Sequence, residues 1–154
     1  MAIQKLLLDT NIVLDFIGMR GPHFGETRML MLAGRVGEFS LWVASSQVID
    51  MIYILTNGGN QSKVPEALEK LRLLRTFINV YAVTDADVDK MLATTWSDPE
   101  DALLVDLALK MRADAVITRD TDFPETNAIR VHDCPSFFAW LEREKGISYA
   151  ELDV

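Results

Sequence analysis

KLLLDTNIVLDF, residues 5–16, sends a fully apolar run (Leu6, Leu7, Leu8) straight into Asp9, Thr10 and Asn11, then turns apolar again. The same shape returns a hundred residues later in DAVITRDTDF, residues 114–123, where Val116 and Ile117 run into Thr118, Arg119, Asp120 and Asp122. A short continuous apolar run bounded by polar turn residues reads as a buried strand. Two readings of the carboxylates at the run ends stand open: they cap the elements that follow, or they aim at one place.

Outward from these runs the pattern alternates. After the strand at residues 5–9 comes a helical turn; then a helix over residues 22–37 and a strand, FSLWVA, over 39–44. SSQVIDMIYILTNGG, residues 45–59, reads as a helix with serine at its start and Gly58-Gly59 past its end. A helix over residues 64–78 carries Leu68, Leu71, Leu74 and Ile78 at helical spacing, and NVYAVT, 79–84, is a strand. Asp85 caps a helix to residue 95. Ser97 or Asp98 caps the next, with Pro99 in its first turn. Strands over 115–118 and 129–131 follow, then a helix from Pro135 to Lys145 closed by Gly146. Near-continuous apolar strands alternating with helices imply a parallel sheet covered on both faces. In such sheets ligands sit outside the carboxyl ends of the strands, where Asp9 and Asp120 both lie.

The 154 residues fit one domain, 1–154, without repeat or linker, and 49% hydrophobic with 25% charged residues is a soluble globular profile. The start lacks a signal peptide or membrane span, and a lone cysteine, Cys134, excludes an intramolecular disulfide. The expected setting is cytoplasmic. A net charge of −8 argues against binding nucleic acid through a broad basic surface. That charge is uneven: residues 1–77 hold eight Lys/Arg against seven Asp/Glu, residues 78–154 seven against sixteen.

Single acids have plain explanations. Asp9 suits a cap or turn. Asp50, in VIDMIYIL, sits on a helix apolar on nearly all sides, so it is expected to be buried with an arginine, a metal or a catalytic task. Asp98, Glu100 and Asp101 all suit a helix N-terminus. Asp101 stands apart, because Leu104, Val105 and Ala108 share its face and turn it inward. Asp106 pairs with Lys110 four residues on. Several acids together at one sheet edge repel one another and call for a cation, and an all-oxygen set suits Mg²⁺ or Mn²⁺. Phosphodiester hydrolysis is the natural chemistry of such a site.

LLLDTNIVLDF, SSQVIDMIYIL and SDPEDALLVDLALKMRADAVITRDTDF, in that order, resemble the PIN-domain ribonucleases, a group rich in toxins of bacterial and archaeal toxin–antitoxin pairs. The resemblance covers essentially the whole chain. It implies an α/β three-layer sandwich, a parallel, roughly five-stranded sheet flanked by helices. It also implies a Mg²⁺- or Mn²⁺-dependent endoribonuclease with catalytic acids Asp9, Asp50, Asp101 and Asp120. Asp9, Asp101 and Asp120 would be metal ligands, with Asp122 as a further one. Asp50 stands where the family usually has glutamate. Thr10, Asn11 and Thr118 match polar positions that orient carboxylates or water. The implied partners are an RNA substrate, a cognate antitoxin and a second copy in a homodimer, and none is a membrane.

Arg119, inside TRDTDF, is the candidate for a substrate phosphate, with a salt bridge to a nearby acid as the other reading. Arg20, Arg28, Lys63, Arg72 and Arg75 line a groove or solvated faces. His23 and His132 read as surface residues rather than an acid–base pair, and Cys134 as a structural thiol. Trp42, Tyr53, Phe77, Phe137, Phe138 and Trp140 read as core or dimer contacts. A phosphohydrolase or receiver domain also places Asp at strand ends, but the first wants an acid where Asn11 stands. A PIN-like module that binds RNA or a protein without cutting is the non-enzymatic alternative.

Overall fold

A computed structural model describes residues 3–149 of the chain. Strand β1 (Gln4–Leu8) is the centre of a five-stranded, all-parallel sheet, flanked by β2 (Phe39–Ala44) and β4 (Ala115–Ile117). Strands β3 (Ile78–Tyr81) and β5 (Arg130–His132) form the edges, giving the order β3-β2-β1-β4-β5. The helices are α1 (Thr10–Gly18), α2 (Phe24–Arg35), α3 (Ser45–Leu55), α4 (Val64–Leu74), α5 (Asp85–Leu92), α6 (Pro99–Lys110) and α7 (Cys134–Lys145).

Strand alternation sorts the core into two layers. Leu6 and Leu8 of β1, with Leu41, Ala115 and Ile117, pack under α1, α2, α3 and α7. Leu7, with Ala44 and Val116, meets Leu103, Leu104, Leu107 and Ala108 of α6 on the other face. The expected three-layer sandwich is therefore present. Phe137 is fully buried and anchors an aromatic cluster with Phe39, Phe138 and Trp140. Close approach of α2 to β2 depends on Gly34, where a Cβ would sit 2.2 Å from Leu41 Cδ1.

Several boundaries differ from the sequence expectation. The turn after β1 is a nine-residue helix, because Asp9 caps it and Ile12, Val13 and Leu14 bury its inner face. Ser45 does not cap α3; Ala44 occupies that place, its N–H donating to Gln47 Oε1 at 2.6 Å, while Ser45 Oγ accepts from Val83 N. Ile78, expected on α4, opens β3 instead. Thr84, not Asp85, caps α5, exchanging hydrogen bonds with Asp87. Asp106 pairs with Lys90, and Lys110 turns to Asp87. Among the described residues no helix is long and apolar enough to cross a membrane.

Candidate active site

Parallel pairing of β1 with β4 ends both strands at the same edge, with Leu8 beside Ile117, so the next residues of each chain segment meet. Asp9 N donates to Ile117 O at 2.8 Å, continuing the ladder by one residue. The Asp9 side chain then closes the junction. Its Oδ1 accepts from Thr10 N at 2.7 Å and its Oδ2 from the Thr118 hydroxyl at 2.7 Å. Asn11 Nδ2 reaches both Asp9 Oδ2 (3.4 Å) and Thr118 Oγ1 (3.3 Å). Asp9 is thus both the cap of α1 and a member of a convergent polar site; the two readings of the opening stretch are compatible. Thr10 contributes through its backbone, and its hydroxyl accepts from Gln47 Nε2 at 3.2 Å.

The loop after β4 is held in the same network. Thr118 Oγ1 accepts from Asp120 N at 3.1 Å, and Asp120 Oδ1 accepts from Asp122 N at 2.9 Å. From the other layer, Asp98 caps α6 through Oδ1, accepting from the N–H groups of Glu100 and Asp101. That cap turns Asp101 inward, where it is 6% exposed, as the apolar spacing of its face requires.

Charge binds these pieces into one site. Burial, then the charges of Asp98, Asp9, Asp120 and Glu100, push the Asp101 carboxyl up to about 7. Asp9 is raised chiefly by burial and further by Asp120 and Asp98, against the hydrogen bonds from Thr118 and Thr10 that lower it. Glu100 is raised by burial and by Asp50, Asp98 and Asp9. Asp9, Asp98, Glu100, Asp101 and Asp120 therefore share one field, with Asp50 acting on Glu100 from its rim. Asp122 is not among the charges that act most strongly on Asp9 or Asp101.

Asp50 corrects the expectation most sharply. It is exposed, not buried, because α3 turns Gln47 and Met51 toward the sheet and leaves Ile49, Tyr53 and Ile54 in solvent. Tyr53 is accordingly no core residue in this chain. Arg119 forms a salt bridge, its Nε and Nη2 donating to both oxygens of Asp15, and this pairing leaves the phosphate reading open. His132 is half-buried, its Nδ1 against Ser136 Oγ at 2.9 Å, so it is not the surface residue expected. Burial pushes the Cys134 thiol up to about 12, which makes it inert at neutral pH.

The sequence reading missed Asp98 and Glu100 as members of the field, since a helix N-terminus accounted for both. Asp15 and Gln47 were passed over as well. Gln47 is buried and donates to Leu8 O at 2.9 Å, tying α3 to the end of β1. A polar residue at a buried helical position beside a strand end was the available signal.

A cation fits the chemistry of this donor set: all oxygens, with Asp9, Glu100 and Asp101 each raised above its ordinary value. Among the described residues no three Asp, Glu, His or Cys side chains are grouped as a ready-made metal cage. The sequence pattern of the PIN domain family matches residues 5–122. By fold, the chain is similar to a solved VapBC2 complex from Rickettsia felis bound to a promoter DNA fragment. The TM-score is 0.60 at 13% identity, over 84% of this chain and 98% of that one. It is also similar to a toxin–antitoxin complex from Klebsiella pneumoniae, with a TM-score of 0.56 at 16% identity, over 80% and 94%. No curated protein matches the sequence.

Proposed function

The chain belongs to the PIN domain family, and from that premise we propose that it is a cytoplasmic, Mg²⁺- or Mn²⁺-dependent endoribonuclease, the toxin of a toxin–antitoxin pair. The observation that carries this reading is the carboxylate field at the β1 and β4 ends, with Asp101 pushed up to about 7 by burial and four neighbouring acids. Acids held together against their own repulsion are a site that gains by taking a cation.

Asp9, Asp101 and Asp120 would hold the ion, and Asp122 would serve mainly by fixing Asp120 through its backbone N–H. A bound Mg²⁺ or Mn²⁺ would supply a water of lowered pKa and neutralise charge on the phosphate under attack. The remaining work falls to the chain. Thr118 and Asn11 both fix the Asp9 carboxylate through Oδ2, so Oδ1, which among the described residues accepts only from Thr10 N, keeps a lone pair free for a ligand. Asp98 aims the first turn of α6, and with it Asp101. Asp50, exposed and one methylene shorter than glutamate, would act from the rim through water.

Toxin–antitoxin complexes among the structures of similar fold support an antitoxin partner. Exposed Ile49 lines an apolar groove of about 490 Å³ with Val48, Ile52, Leu68 and Leu71, and Tyr53 and Ile54 are exposed on the same helix. That surface suits a second copy in a homodimer. The exposed Asp50 favours one alternative, a PIN module that binds without cutting. A calorimetric titration with Mn²⁺ separates the two. The nuclease binds at micromolar to millimolar metal and degrades labelled single-stranded RNA until EDTA is added. A chain that binds no metal at millimolar concentration is the non-cutting module.

A further inference from the structure

We propose that Arg20 and Arg119, seated together on the buried Asp15 carboxylate, form an anchor for a backbone phosphate of the nucleic acid strand at the edge of the acid field. This rests on the nuclease reading and adds to it the place where the strand is held.

Asp15 is in the middle of α1 and only 2% exposed. A buried carboxylate costs several kcal/mol unless it is paired and hydrogen-bonded. Here it is more than paired. Arg119 donates to both oxygens, Nη2 reaching Oδ1 at 3.2 Å, and Arg20 Nε lies 3.4 Å from the same Oδ1. One acid balances one guanidinium, so the cluster carries a surplus positive charge in a chain of net charge −8. Both arginines remain open to solvent, with side chains 38% and 59% exposed. Arg119 spends Nε and one Nη2 hydrogen on Asp15, whereas Arg20 meets it as an ion pair through Nε. Their other N–H groups are free to grip an oxyanion.

The backbone is shaped to bring Arg20 back onto the acid. Helix α1 ends at Met19 in the left-handed region (φ 49°), and Arg20 N bonds Asp15 O at 2.9 Å. Gly21 then takes φ +100°, passing so close that a Cβ there would lie 2.6 Å from Asp15 Oδ2. The site is equally tied to the acids. Arg119 lies between Thr118, whose hydroxyl holds Asp9, and Asp120, and its own N–H donates to Asn11 Oδ1 at 3.3 Å. Without Asp15, Arg119 would be free to collapse onto Asp9 or Asp120, whose charges it already feels. Asp15 keeps it off those acids and turned toward solvent. An acid field repels a polyanion, and a fixed pair of guanidinium groups beside it supplies the opposing attraction where the strand must lie.

The test is fluorescence anisotropy with the full chain and a labelled phosphorothioate single-stranded RNA, which resists cleavage, over a range of salt concentrations. Arg20→Gln removes the more exposed of the two guanidinium groups and leaves Asp15 paired with Arg119. It is expected to weaken binding about fivefold to tenfold at 0.1 M salt and to reduce the slope of log K against log salt by about 0.7, one single-strand phosphate contact. Arg20→Lys is expected to restore the slope but only part of the affinity, since charge returns without the fork. An unchanged slope and affinity in Arg20→Gln, with the wild-type chain binding normally, overturns the anchor and leaves the nuclease reading standing. A wild-type chain that binds no RNA overturns both.

Discussion

Asp15 and Asp50 are each set among apolar residues on a helix, VLDF in one case and VIDMIYI in the other, and they end in opposite places. Asp15 is buried beneath two arginines; Asp50 is in solvent at the rim of the acid field. The difference comes from what each helix meets. Helix α1 lies in the middle of one layer, burying four consecutive residues from Ile12 to Asp15, and Arg119 and Arg20 arrive there from loops. Helix α3 buries only Gln47 and Met51 along its length. Its apolar residues exceed what the sheet can cover, and the surplus faces outward. An acid among apolar neighbours is therefore no sign of burial by itself. A partner within reach is.

The largest expected effect is at Asp15. Asp15→Ala strips two guanidinium groups of their shared acid and should cost about 2–4 kcal/mol in urea denaturation. Asp50→Ala should stay within about 0.5 kcal/mol, as an exposed site does. Equal costs at the two positions would break the comparison. Next comes Gly21→Ala, which places a Cβ against Asp15 at a φ that L side chains rarely adopt. A loss of about 1–3 kcal/mol is expected, measured in the same way.

Asp101 supplies a third case: buried like Asp15, but with acids for neighbours. Its folded carboxyl at about 7 lies above the unfolded value of about 4, so the metal-free folded chain holds a proton that the unfolded chain gives up. The stability this contributes is complete below pH 4 and is lost as pH rises through 7. Asp101→Asn should therefore gain on the wild type in melting temperature between pH 5 and pH 8, in EDTA. A constant difference across that range would mean Asp101 is not strained by its neighbours. The smallest effect on stability belongs to Tyr53→Ser on the exposed face of α3. It should leave the melting temperature within a degree or two yet weaken self-association, read by light scattering against concentration.

Much of this was legible in the sequence because two buried strands announce their ends. Leu6-Leu7-Leu8 and Ala115-Val116-Ile117 place Asp9 and Asp120 at one sheet edge through parallel pairing alone. The inward turn of Asp101 followed from Leu104, Val105 and Ala108 at helical spacing. What the sequence hid depends on contacts between distant segments. Nothing local distinguishes Asp98 as a cap from Asp98 as a charge felt by Asp101, since it is both. Nor does the spacing of Asp106 and Lys110 reveal that Lys90 and Asp87 lie closer to hand. The Asp15–Arg119 pair joins residues 104 positions apart, and only the meeting of β1 with β4 brings it about.

The measurement that bears most directly on the account is the rate of cleavage of labelled single-stranded RNA in Mn²⁺ by the wild type, Asp9→Asn and Asp50→Asn, each repeated with EDTA. The account predicts cleavage that EDTA abolishes, a loss of about 100-fold or more in Asp9→Asn with folding intact, and a smaller loss in Asp50→Asn. Wild-type and Asp9→Asn proteins that cut at the same rate, or cutting that survives EDTA, would contradict it.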